Sequence, residues 1–241
     1  GKMLFGGLGC NVFNPALVGR AFVQAAFPVA ITTWTPALAE GRFREFIPST
    51  FTLPFMAPDP VLNAALNASV DGCTGATPLA LQKFEQVTTN AGNLFFGTTA
   101  GSLGETSVLV ILIGGAYLAI RGIMNWRIPV GMLLAAFVTA AVCYGFDSAR
   151  FPDPMFVLLS GGLMFGAMFM ATDMVASPVT PLGIWVYAAL MGFLTVIIRL
   201  FGGLPEGVMY AILLGNAASP FIEAFTQPRI YGERRKSESK S

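Results

Sequence analysis

Histidine is absent from all 241 residues, and Asp, Glu, Lys and Arg together make up only 11% of them. The first absence removes the commonest general base and metal ligand, and with it most hydrolase and zinc chemistry. The second is a deficit, because a soluble domain normally carries about 25% charged residues. So little charge cannot solvate a whole surface, and lipid must be the solvent for much of this chain. A large soluble core would account for one apolar run but not for several of spanning length. A formal net charge of +1 gives no electrostatic footprint for nucleic acid, which is excluded as a partner. Cysteine is scarce too. Cys10, Cys73 and Cys143 lie far apart with no C-x-x-C pair, so a metal cluster held by this chain alone is not expected, and they read as small buried hydrophobes.

What is present is a series of apolar runs. Five stand out in the second half, at 104–120, 128–145, 155–172, 183–200 and 208–225. Each approaches the roughly 20 residues that cross a hydrocarbon core. Glycines and other small residues in SVLVILIGGAYLAI and FVLLSGGLMFGAMFMA suit close helix packing in lipid. A further apolar stretch at 14–31 spans or re-enters. It holds Arg20 and Gln24, which are costly against lipid, so this helix is expected to be buried within a bundle. The chain enters at Gly1 without a methionine and without the charged region and cleavage site of a signal peptide, so further helices are expected upstream.

Between 32 and 103 the texture changes to Pro, Thr, Asn and Gly, with charges at Glu40, Arg42, Arg44 and Glu45. Such a stretch reads as a functional excursion outside the membrane. Basic residues set the orientation. Arg121 and Arg127 flank one short loop, and Arg229, Arg234, Arg235, Lys236 and Lys240 crowd the tail at 227–241. Counting back through five spans from a cytoplasmic tail puts the Arg121–Arg127 loop in the cytoplasm as well, so the two clusters agree. The excursion then falls on the non-cytoplasmic face.

Within the excursion, residues 69–80 read SVDGCTGATPLA. Asp71 precedes a run of small residues, Gly72, Thr74, Gly75 and Ala76, that let the backbone turn tightly. Thr77 stands immediately before Pro78, which biases it towards an extended conformation. On physical grounds alone this is an ordinary turn with an accessible hydroxyl.

The stretch resembles the D-G-x-[ST]-G-A-T signature at which a flavin transferase attaches FMN to the final threonine through a phosphodiester bond. GGLGCNVFNPALVGRAF, FMATDMVASPVTPLG and PEGVMYAILLGNAASPFIEAF are similar to segments of the same group, the membrane flavoprotein subunits shared by Rnf and the Na+-translocating NADH:quinone reductase. The resemblance covers essentially the whole chain in order. TQPRIYG, GGLPEGV and threonine at position 74 look more like the D subunit of Rnf than the B subunit of the quinone reductase. It implies an all-α polytopic transmembrane bundle, the C-terminal part of a protein of about ten helices with two related halves. It also implies FMN on Thr77, facing the non-cytoplasmic side of a bacterial or archaeal inner membrane. Electrons would pass between ferredoxin and NAD+, coupled to Na+ or H+ export, with other membrane and peripheral subunits and the lipid bilayer as partners. Asp71 would serve the flavin transferase during maturation, by holding metal near the pyrophosphate of FAD.

Other residues admit two readings. Asp173, at the end of the third run, is either part of a cation path or an acid capping the turn that comes after it. Arg20 either binds a phosphate or flavin edge or pairs with a carboxylate from upstream helices. Glu105 reads as a carboxylate at a helix N-terminus, and Glu206 and Glu223 as solvated or paired. Asn11, Asn14 and Asn216 occupy similar settings, NxFNPA and GNAASP, an echo that fits two related halves with broken helices. Trp34, Trp126 and Trp185 lie near span ends as interfacial anchors. Three rivals remain: the B subunit of the Na+-translocating NADH:quinone reductase, with the same flavin but ubiquinone as final acceptor, a transporter or channel without a redox cofactor, and a purely structural membrane subunit. The last two predict a colourless protein.

Overall fold

The computed structural model describes residues 11–27, 78–85, 88–97, 107–148, 151–203 and 206–228. Among these every regular element is helical. The helices are α1 (Pro15–Ala26), α2 (Pro78–Ala80, running on as a π turn over Leu81–Glu85), α3 (Ala91–Phe96), α4 (Val108–Ile120) and α5 (Arg127–Phe146). They continue with α6 (Pro154–Leu159), α7 (Leu163–Phe165, running on as a π turn over Gly166–Met170), α8 (Pro181–Phe201) and α9 (Val208–Thr226).

Sequence sets the helix starts. Asn14 caps α1, its Oδ1 accepting from the Ala16 and Leu17 N–H groups at 3.0 and 3.4 Å, and Pro15 at the first position needs no N–H partner. Thr180 does the same for α8, its hydroxyl accepting from Gly183 N–H at 3.2 Å ahead of Pro181. The Thr180 hydroxyl also meets that of Thr226 at 2.5 Å, tying the start of α8 to the end of α9.

α5, α8 and α9 are long and apolar enough to cross a membrane by length and composition. At 1.5 Å per residue, the 20 residues of α5 span roughly 30 Å. On α5 the buried residues Ile128, Met132, Ala136 and Ala140 recur every four positions, while Val130, Leu134, Val138 and Val142 on the far side are exposed. An exposed side that is apolar belongs against lipid. The two faces therefore differ in residue size more than in polarity, and association rests on close packing. Gly131 lies against Ala188 and Trp185, and Gly192 against the Met132 carbonyl and Ala135, so small residues let α5 and α8 run side by side.

Two expectations are corrected. The run at 155–172 is not one continuous helix. It crosses in two pieces, α6 and α7, interrupted at Ser160-Gly161-Gly162, where Gly161 adopts φ 63°, a conformation that a side chain disfavours. The run at 104–120 is helical from Val108, giving 13 residues, with 101–106 outside the described residues. On helix α1, Leu17 is buried, one side of the helix packs on α9, and Phe22 is 73% exposed.

The chain order gives the bundle two distinct ends. α5 and α8 run in the same direction, α9 runs back, and α6 with α7 returns between α5 and α8. Arg127, Asp173, Thr180 and Thr226 therefore gather at one end, while Asp147, Gly202 and Glu206 gather at the other.

Candidate functional site

Asp71, Gly72, Thr74, Gly75, Ala76 and Thr77 lie outside the described residues, as do Glu105 and Trp34. The chain is described again from Pro78, and the segment after Thr77 is held firmly. Pro78 is buried, and Leu79 is only 6% exposed, packed with Leu94 and Phe156. The Leu79 side chain fills the space that a Cβ on Gly161 would take. The absence of a side chain at Gly161 is thus what admits the segment after Thr77 into the break between α6 and α7.

Two cations stand at this end. Lys83 donates from Nζ to the carbonyls of Arg199, at 2.9 Å, and of Gly202. These carbonyls lie in the last turn of α8 and at its C-cap, where a helix dipole favours positive charge. Partial burial holds the Lys83 ammonium below the ordinary lysine value. Arg199 is 5% exposed, and its Nη1 donates to the Val157 carbonyl at 2.8 Å on α6, just before the break. Lys83 and Arg199 together place positive charge at this end of the bundle.

Arg20 also lies towards this end. Its Nη2 pairs with Glu206 Oε2 at 2.9 Å, with both side chains about a quarter exposed. The carboxylate partner expected from upstream helices is supplied instead by this chain, from the turn before α9, because α1 lies along α9.

The opposite end collects polar groups that the sequence scattered. Asp173 does what a turn acid does, its Oδ1 accepting from Val175 N–H at 3.2 Å, and its Oδ2 also accepts from Asn11 Nδ2 at 3.4 Å. Asn14 Nδ2 donates to the Met170 carbonyl at 3.2 Å. The Asn216 carboxamide is satisfied on both sides when Oδ1 accepts from Asn14 N–H at 3.1 Å and Nδ2 donates to Tyr187 Oη at 2.6 Å and the Ile212 carbonyl at 3.3 Å. Pro220 lacks the N–H that would bond the Asn216 backbone carbonyl. Beside them lies a cleft of about 330 Å³, lined by Asn11, Ser177, Asn216, Ser219 and Glu223 among others. Among the described residues no three His, Cys, Asp or Glu side chains converge as a metal site. This end is a set of amide, hydroxyl and carbonyl oxygens around one or two carboxylates, chemistry that suits a hard cation better than a soft transition metal. Reasoning from sequence missed Tyr187 and Ser219. A lone tyrosine within an apolar run was the one available signal.

An all-helical bundle with lipid-facing apolar sides, a broken crossing helix and buried polar groups at both ends defines a polytopic membrane protein. The profile of the NQR2, RnfD, RnfE family matches residues 1–232, and the chain belongs to that family. Its relatives are subunits of redox complexes. It is 42% identical over 241 residues, all of this chain, to the D subunit of the Na(+)-translocating ferredoxin:NAD(+) oxidoreductase complex of Acetobacterium woodii. It is 40% identical over 97% of its length to the D subunit of the proton-translocating ferredoxin:NAD(+) oxidoreductase complex of Clostridium ljungdahlii. It is also 40% identical over 97% of its length to the D subunit of the ion-translocating oxidoreductase complex of Yersinia pseudotuberculosis. The chain spans 65% of the first two relatives and 68% of the third.

Proposed function

We propose that this chain is the membrane flavoprotein subunit of an ion-translocating ferredoxin:NAD+ oxidoreductase, with FMN attached covalently to Thr77. The observation that carries the reading is the D-G-x-T-G-A-T sequence at residues 71–77 in a chain about 40% identical to the D subunits of such complexes. When bound, the flavin supplies the redox chemistry, and the protein's part is to place and tune it. A covalent tether keeps it at high local concentration at a site facing water.

The packing of Leu79 and the cations Lys83 and Arg199 supports placing the flavin at the Glu206 end. The last described residues before the basic tail lie at the other end, which supports a cytoplasmic tail and a non-cytoplasmic flavin. There, Asp173 with Asn11, Asn14 and Asn216 forms the proposed cation path. Arg20 is read as the structural partner of Glu206.

The test is in-gel flavin fluorescence of the denatured full-length subunit, co-expressed with an active flavin transferase, wild type beside Thr77→Ala. A fluorescent band lost in the variant is expected. A dark wild-type band would remove the flavoprotein reading and leave a transporter without a redox cofactor.

A further inference from the structure

The segment after Thr77 is fixed at two points on the same surface. Leu79 sits in the notch left by Gly161, at the break between α6 and α7. Lys83 grips the carbonyls that end α8. The two contacts adjoin, because Arg199 supplies one carbonyl to Lys83 and also bonds Val157 on α6. Lys83 itself lies within a π turn over Leu81–Glu85, a geometry concentrated at functional sites. Pro78 stiffens the link back to Thr77, since its ring locks φ.

Such a latch has no evident role in holding the long helices together, for α5 and α9 each pack directly on α8. A phosphodiester tether has many rotatable bonds, so a group hung on it has a defined position only if its attachment point is fixed. Displacements of about 1 Å are enough to cost an active site heavily. Lipid does not supply that fixation outside the membrane, and a water-facing loop does not either.

We propose that Leu79 and Lys83 are positioning residues that clamp the Thr77 attachment point onto the broken helix and the end of α8, so that the tethered flavin is held in one place. This rests on the reading of Thr77 as the attachment residue. It gives Gly161 a role beyond the turn it permits, as the seat of Leu79.

The test uses the full-length subunit, co-expressed with flavin transferase and purified in detergent. Wild type, Leu79→Ala, Lys83→Ala and Lys83→Arg are compared by in-gel fluorescence for covalent flavin and by time-resolved fluorescence anisotropy for its mobility. The wild type is expected to show a slow decay of the whole particle. Leu79→Ala and Lys83→Ala keep the covalent band and lose that slow component, and Lys83→Arg restores it, because a guanidinium also caps helix-end carbonyls. Wild-type anisotropy in both alanine variants, with the band intact, overturns the clamp. Loss of the band in the alanine variants alone also overturns it, in favour of a role in attachment. No band in the wild type instead brings down the Thr77 reading on which the clamp rests.

Discussion

The backbone N–H of Asn14 donates to the side-chain oxygen of Asn216 at 3.1 Å, joining the start of α1 to the middle of α9. Pro15 directly follows Asn14, whose own carbonyl accepts from Val18 N–H at 3.1 Å, whereas Pro220, four residues after Asn216, leaves the Asn216 carbonyl without its helical donor. The Asn14 side chain is already committed, its oxygen to the cap of α1 and its nitrogen to Met170. Asn216 therefore completes Asn14 and takes its own remaining bonds from Tyr187 and Ile212.

Asn216→Ala leaves the Asn14 N–H and the Tyr187 hydroxyl buried without that partner. The expected loss is about 1–2 kcal/mol, the low end for stranded buried groups because partners in lipid are worth less than burial suggests. Thermal unfolding in detergent measures it. Tyr187→Phe should cost less, and the double variant less than the sum, since both delete one bond. Additive losses would show that the two side chains do not meet.

Two glycines of the long helices should respond in opposite ways. A Cβ at Gly192 would press on the Met132 carbonyl and Ala135, so Gly192→Ala is expected to cost about 1–3 kcal/mol by forcing α5 and α8 apart. At Gly145 nothing lies within 4 Å, so Gly145→Ala is expected to be neutral or to stabilise by up to about 1 kcal/mol through helix propensity. The same unfolding assay reads both, and equal destabilisation would contradict the observed packing.

The Arg20–Glu206 pair is partly exposed at both ends, and exposed pairs contribute little. Arg20→Ala and Glu206→Gln should each shift stability by less than about 1 kcal/mol and leave covalent flavin content unchanged in the gel. A loss of flavin in Arg20→Ala but not in Glu206→Gln would assign the guanidinium to the cofactor.

How much of this was legible in the sequence depends on which signals are local. Apolar length is local, and it located the crossings at 128–145, 183–200 and 208–225 to within a few residues of α5, α8 and α9. The break at 160–162 was written as Ser-Gly-Gly, but two glycines within an apolar run also mark close packing in an unbroken helix. Hydropathy does not separate the two cases. What resolves them is Leu79, far earlier in the chain, seated against Gly161. The meeting of Asn11 and Asn14 with Asp173 and Asn216 was equally hidden, because only the shared settings of the asparagines hinted at it. The Glu206 partner of Arg20 lies 186 residues away, beyond any spacing rule. Tertiary pairing across a bundle leaves almost no trace in one sequence, whereas the proposal for 71–77 rests only on the order of its own residues.

Asp173 supplies the decisive prediction for ion coupling. Its carboxylate lies beside Asn11, and Asn216, Ser177, Ser219 and Glu223 line the neighbouring cleft. A cation bound there would meet the Asp173 and Glu223 carboxylates and several neutral oxygens. Asp173→Asn keeps the shape and removes the charge, and its amide clashes electrostatically with the Asn11 amide that now donates to the carboxylate. The apparent cation affinity of turnover is expected to fall on the order of tenfold, about 1.4 kcal/mol, with covalent flavin content unchanged. The measurement is the cation dependence of electron transfer by the assembled complex in vesicles, with the in-gel flavin band as the control for assembly. If Asp173 serves only its turn, the Val175 N–H is still met by the asparagine oxygen, and the cation dependence stays at the wild-type value. That result would move the ion path elsewhere in the complex while leaving the flavin reading intact.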